Sequence, residues 1–275
     1  MSAQMPQRAL RHLKILSDVS GINSDGNYGD KCMTGIVLDI DDTLYDRQKL
    51  ISDAAGEVLG ITFDEQQRRR FVDEFYRCSD SNLARLERGE ITTVESNSWR
   101  YGTVMEMFGL GDINAGHRAA ELYLSMQSSM AVSPLLSATL DRISVIDDVI
   151  LGIITAGQAG HQWSKFDRLG LDRWVDRDRT IVAGEVGYTK PDVRIFEMME
   201  DRLGLTPENL WMVGDSMKHD IIGAAGARWH TIWFDRRGSS SDISGVSYRP
   251  DFTVHSEEEL CDALCSVCVT NIPLT

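Results

Sequence analysis

The sequence predicts an α/β protein with a Rossmann-like parallel sheet core and an inserted all-α helical-bundle domain. Three observations lead there. Apolar runs of strand length recur at Gly35–Ile40, Val149–Ile154, Thr180–Ala183, Leu210–Val213 and Thr231–Phe234, with Asp251–Val254 as a candidate edge strand. Runs that are apolar throughout mark strands buried on both faces, as parallel sheets require. Helical patterns separate most of these runs, and that alternation is the mark of a doubly covered parallel sheet. The third observation is a break in the alternation. Residues 46–148 read almost entirely as helix, too many for one crossover. Residues 34–47 and 149–275 are therefore assigned to the sheet domain and 48–148 to a helical cap.

Taken in order, residues 1–33 are polar and rich in small residues, and they read as a disordered N-terminal extension. Arg8–Leu16 could form a short amphipathic helix, and Met33 reads as an alternative initiator. The cap helices are expected at Gln48–Leu59, Asp64–Ser79, Val94–Phe108 and Ile113–Ser129, and the Arg68–Arg70 run is a solvated helix face. Pro191 opens a helix whose Ile195, Phe196, Met199 and Leu203 share one side. Ser256 and Glu259 form a capping box for the last helix. Cys261, Cys265 and Cys268 fall at i, i+4 and i+7 with Leu264, which reads as a core face rather than a metal site. With Cys32 and Cys78 the cysteines number 5, an odd count that points to reduced thiols in a cytoplasmic setting.

Among 275 residues, 42 are acidic and 28 basic, a net charge of −14. A surface of that sign argues against nucleic acid polymers and anionic membranes as partners. No apolar stretch approaches the ~18–20 residues that span a bilayer.

Four polar motifs each follow a buried run, at the strand ends where open α/β sheets bind ligands. In Asp39-Ile40-Asp41-Asp42-Thr43-Leu44, Asp39 and Asp41 point the same way in extended chain. Adjacent carboxylates are tolerated where a cation binds or one keeps a proton, and a carboxylate can attack phosphorus. Ile154-Thr155-Ala156-Gly157 offers a hydroxyl and free backbone N–H groups suited to a phosphoryl oxygen. Thr189-Lys190-Pro191-Asp192 holds a lysine just outside a helix. Gly214-Asp215-Ser216-Met217-Lys218-His219-Asp220 supplies hard oxygen ligands of the kind Mg²⁺ takes, with His219 read as a helix-surface residue.

In this order the motifs resemble those of the haloacid dehalogenase-like hydrolase superfamily, in its phosphatase branch with an all-helical cap inserted after the first motif. The resemblance covers residues 34–255. It implies Asp39 as nucleophile, Asp41 as general acid/base, and Thr155 with Lys190 as the phosphoryl-binding pair. It also implies a Mg²⁺ site at Asp39, Asp215 and the Asp41 backbone carbonyl, with Asp220 as supporting acid. An aspartate at position 41 favours phosphoryl transfer over dehalogenation. Asp42 replaces the commoner glycine, Ala156 stands where asparagine is frequent and Arg228 where glycine is frequent. Thr43, Ala156 and Gly157 are expected to contact substrate. So are Arg88 and Arg100, which flank a segment like the inter-helix turn of nucleotidase-like caps. The expected activity is hydrolysis of a small phosphate monoester, a nucleoside monophosphate or sugar phosphate, by a monomer or homodimer. A phosphosugar mutase, a dehalogenase and an inactive binding module are the alternatives. Four aspartates at about −4, a divalent cation at about +2 and Lys190 at about +1 leave the site near −1, which favours a proton on Asp41.

Overall fold

The computed structural model describes residues 33–87, 89–236, 238 and 248–269. The expected extension up to Cys32, with its Arg8–Leu16 helix, and Arg88 lie outside the described residues. Among the described residues six strands form one parallel sheet: β1 Thr34–Leu38, β2 Val149–Thr155, β3 Thr180–Val182, β4 Leu210–Gly214, β5 His230–Phe234 and β6 Phe252–Val254. Their order is β3-β2-β1-β4-β5-β6, so β1 is central and the winding reverses between β1 and β4. A crevice opens at the carboxyl ends of the strands at such a reversal. Side chains alternate across the sheet. Ile36, Leu38, Leu151, Ile153 and Val213 enter one apolar layer, and Val37, Ile154, Leu210 and Met212 enter the other.

Four helices follow β1: α1 Arg47–Leu59, α2 Glu65–Glu87, α3 Thr93–Met107 and α4 Ile113–Met126. Each start that is capped uses a short polar side chain for an orphan N–H. Asp46 accepts from Lys49 N, Asp112 accepts from Ala115 N, and Thr92 and Glu95 form a reciprocal capping box. These helices carry their own core, built on Phe71, Phe75, Tyr101, Val104, Ala119 and Tyr123. The Arg68–Arg70 run lies outside it, with Arg68 and Arg69 paired to Glu65.

A fifth helix, α5 Pro134–Ile143, packs elsewhere. Its Leu136, Leu140 and Ile143 join Ile36, Leu38 and the last helix, Glu257–Val269, through Leu260 and Leu264. The sequence reading ran the cap to residue 148. The apolar clusters instead divide near Met130, which is already part of the sheet-side layer. Cys261 is buried in that same layer with Cys268 packed against it, and burial pushes both thiols up to about 12.

The remaining helices are α6 Ala159–Arg168, α7 Ala183–Val186, α8 Val193–Leu203, α9 Ile222–Gly226 and α10 Glu257–Val269. Pro191 does not open α8, contrary to the sequence reading. Asp192 is the N-cap, accepting from Arg194 N, and the Lys190–Pro191 peptide is cis. Among the described residues no helix is long and apolar enough to cross a membrane.

Candidate active site

β1 ends at Leu38, one residue before Asp39, whose N–H donates to Val213 O on β4 at 2.9 Å. That bond places the first acidic residue at the reversal of the sheet. Lys190 arrives from the loop before α8. Its Nζ donates to Asp39 Oδ1 at 2.6 Å and to Ile154 O at 3.0 Å, and it pairs with Asp220 Oδ1 at 2.5 Å. Burial opposes the lysine's charge, but Asp220 and Asp39 outweigh it and raise its pKa above the ordinary value. His219 does not face the carboxylates. Its Nδ1 meets the Lys190 carbonyl at 3.1 Å and so supports the lysine loop.

Asp220 lies in a π-helical turn, Met217–Ile221, ahead of α9. Such turns recur at functional sites because they re-aim one side chain. Its Oδ2 accepts the Ser216 N–H at 3.0 Å. Gly214 is required here, since a Cβ at that position would collide with the Asp220 carboxylate. The Asp215 carbonyl is pinned by Trp233 Nε1 at 2.9 Å.

Asp39, Asp215 and Asp220 offer oxygens that all lie within 4.8 Å of one another. The donor set is entirely hard oxygen, which suits a divalent cation such as Mg²⁺ rather than a soft metal. Burial, with Asp220 and Asp41 adding to it against Lys190, raises Asp39 from its ordinary 3.8 to about 7. The three clustered carboxylates supply hard oxygens, so the residues fit a hard divalent metal. Asp220 has one oxygen on Lys190 and the other on the Ser216 N–H.

The raised Asp39 has a consequence for stability. Without divalent cation, the folded state holds the Asp39 proton more tightly than the unfolded chain does. Stability from this group is therefore present below about pH 4 and lost as pH rises to about 7. The melting temperature of EDTA-treated protein is expected to fall between pH 5 and 7.5, and Asp39→Asn should flatten that slope. A slope that survives the substitution would assign it to another group.

Asp41 occupies a different environment. Lys165 Nζ, from α6, donates to both of its carboxylate oxygens at 2.6 Å. Burial opposes the Asp41 charge, but Lys165 and Arg47 outweigh it and hold the carboxyl well below the usual range. This corrects the charge balance drawn from sequence. Lys165 adds about +1, so the site with a divalent cation stands near neutral, and resting Asp41 is ionised rather than protonated.

The neighbouring Asp42, in the left-handed region at φ 63°, joins the sheet to the inserted helices. Its Oδ1 accepts Arg47 N at 3.0 Å and Gln48 N at 3.2 Å, and Oδ2 takes the Tyr76 hydroxyl from α2. Arg236 Nε donates to the Asp42 carbonyl at 3.2 Å. Short polar side chains tolerate this backbone region best after glycine, which is how an aspartate can stand here.

The other expected contacts divide. Thr155 is buried beside the Lys190 contact at Ile154, with its hydroxyl donating to Gln162 Oε1 at 3.2 Å. Ala156 is exposed and Gly157 follows at φ 116°. Thr43 is wholly buried, and its hydroxyl has no hydrogen-bond partner among the described residues. Arg100 lies within the inserted helices, with its guanidinium 4.4 Å from the centroid of the Phe75 ring and bonded to Asn97 Oδ1. Sequence reasoning did not select Lys165, Gln162, Tyr45, Arg47 or Tyr76. Gln162, Lys165, Phe166 and Leu169 fall at i, i+3, i+4 and i+7, and two polar residues on that inward stripe were the available signal.

Known proteins resemble this chain in both sequence and shape. The glyceraldehyde 3-phosphate phosphatase of Methanothermobacter thermautotrophicus is 29% identical over 206 residues, 73% of this chain and 84% of that protein. The pyrimidine 5'-nucleotidase YjjG of Escherichia coli is 26% identical over 182 residues, 65% of this chain and 76% of that one. The magnesium-bound hydrolase YfnB of Bacillus subtilis shares the fold, at a TM-score of 0.58 and 19% identity, covering 85% of this chain and 99% of that one. Residues 33–228 match the model of the haloacid dehalogenase-like hydrolases, from the start of β1 to the turn before β5. The chain belongs to that family.

Proposed function

We propose that this protein is a Mg²⁺-dependent phosphatase that hydrolyses a small phosphate monoester, a nucleoside monophosphate or sugar phosphate, through an aspartyl phosphate on Asp39. The observation that carries the reading is the placement of Asp39. It is buried at the sheet reversal, held through one oxygen by Lys190, and clustered with Asp215 and Asp220. The phosphatase and nucleotidase names of the sequence relatives support the same reaction class.

Asp39, Asp215 and the Asp41 backbone carbonyl would hold Mg²⁺, which supplies charge neutralisation for the phosphoryl oxygens. A carboxylate oxygen of Asp39 attacks phosphorus as the bond to the leaving alkoxide breaks. Lys190 and Thr155 bind phosphoryl oxygens, so that positioning and electrostatics carry most of the rate. Thr155 then turns its proton from Gln162 to the phosphoryl group. Asp41 is ionised at rest, and an arriving phosphate of about −2 raises its proton affinity. Asp41 therefore takes up one proton from solvent as the substrate binds and passes it to the leaving oxygen, and the carboxylate so freed takes a proton from the water that hydrolyses the aspartyl phosphate.

A panel of phosphate monoesters assayed with Mg²⁺ tests the reading. Release of inorganic phosphate equal to the ester consumed is expected, and EDTA should abolish it. Turnover that persists in EDTA refutes the metal dependence. Isomer formation without free phosphate identifies a mutase.

A further inference from the structure

The Asp41 carboxylate is held by three side chains through four hydrogen bonds. Lys165 Nζ reaches both oxygens at 2.6 Å, Gln162 Nε2 donates to Oδ2 at 3.2 Å, and the Tyr45 hydroxyl donates to Oδ1. Lys165 and Gln162 are only 2% and 3% exposed, and both come from α6, which follows β2 directly. Burying an ammonium group is costly, and one partner alone does not recover the cost. The same inward stripe continues into the core at Phe166, so an apolar side chain at 165 would extend it. Gln162 does more than contact Asp41. Its Nε2 donates to the Ala156 carbonyl at 2.7 Å, and its Oε1 accepts the Thr155 hydroxyl. One amide thus touches the acid/base residue, the phosphoryl-binding hydroxyl and the loop between them.

We propose that Lys165 and Gln162 are positioning residues. Lys165 fixes the plane of the Asp41 carboxyl group for proton transfer to the leaving-group oxygen, and Gln162 keeps that group in register with Thr155. The assignment rests on the phosphatase reading above. A second role for Lys165, structural neutralisation of Asp41 alone, would affect every substrate alike. Positioning for proton transfer affects only those whose leaving group needs the proton. Displacing a reacting group by ~1 Å costs about 100-fold in rate.

The experiment compares two esters in the presence of Mg²⁺: the alkyl phosphate turned over fastest in the panel, and p-nitrophenyl phosphate, whose leaving group departs without protonation. Relative to wild type, Lys165→Met is expected to lose about 100-fold in kcat/KM on the alkyl ester and at most about 5-fold on the aryl ester. Lys165→Arg, which keeps the charge, should restore part of the alkyl rate. Equal losses on both esters, or no loss on either, overturn the assignment while leaving the phosphatase reading intact. A wild-type chain inert on both esters overturns the reading and the assignment together. If Lys165→Met does not fold because the Asp41 charge is stranded, Asp41→Asn removes that charge. Asp41→Asn and Asp41→Asn/Lys165→Met should then have equal alkyl-ester rates, and a further loss in the double variant overturns the proposal.

Discussion

Replacing Asp39 by asparagine is expected to lower kcat/KM on phosphate esters by roughly 10³–10⁵-fold, because an amide oxygen is a poor nucleophile toward phosphorus. Asparagine keeps the shape of the side chain and an oxygen for Lys190, which donates to Asp39 Oδ1 at 2.6 Å, so the fold should persist. The variant would also fail to accumulate phosphoryl label from substrate. Steady-state kinetics with a circular dichroism melt separates lost chemistry from lost structure. Activity within about tenfold of wild type in a folded variant would remove Asp39 from the nucleophile role.

The second large effect is expected at Lys190. Its ammonium lies between two buried carboxylates, 2.6 Å from Asp39 Oδ1 and 2.5 Å from Asp220 Oδ1. Lys190→Met removes the shared counter-charge and leaves two acids facing one another. Breaking a buried pair from one side typically costs about 3–5 kcal/mol. The variant should therefore unfold at lower urea concentration and lose turnover as well, since the ammonium proposed to bind the phosphoryl group is gone. Lys190→Met/Asp220→Asn should recover part of the stability, and none of the activity. Recovery of neither would mean that Asp220 does not share the lysine charge in solution.

The strands were legible because parallel pairing buries both faces, which writes each strand as a continuous apolar run. The four motifs were legible for a related reason. Asp39, Thr155, Lys190 and Asp215 are polar residues placed directly after, or in a loop beyond, such runs, and chain topology alone brings these ends to one edge. The resemblance drawn from them agrees with the family match over residues 33–228. What the sequence concealed lies on helices. Lys165 and Gln162 occupy an inward stripe, and a periodicity reading assigns such a stripe to the core whatever its residues are. Likewise the apolar face of Pro134–Ile143 shows that the helix packs, without naming the surface it packs on, and here it meets Leu260 and Leu264. The role of Asp42 was hidden because Tyr76 and Arg236 reach it from distant parts of the chain.

The pairing of β1 with β2 has a consequence for how the chain reaches this state. Thr34 aligns with Val149 and Leu38 with Ile153, so neighbours at the centre of the sheet are separated by the whole helical insertion. Closing a loop of about 110 residues costs chain entropy that five paired residues recover poorly. The helices α1 to α4 have their own apolar core, which shortens the effective loop if it condenses first. In that order of events the insertion would act as an internal scaffold for assembly: collapse around Phe75 and Tyr101 would bring the two central strands within reach, and Asp39 would meet Lys190 only after that.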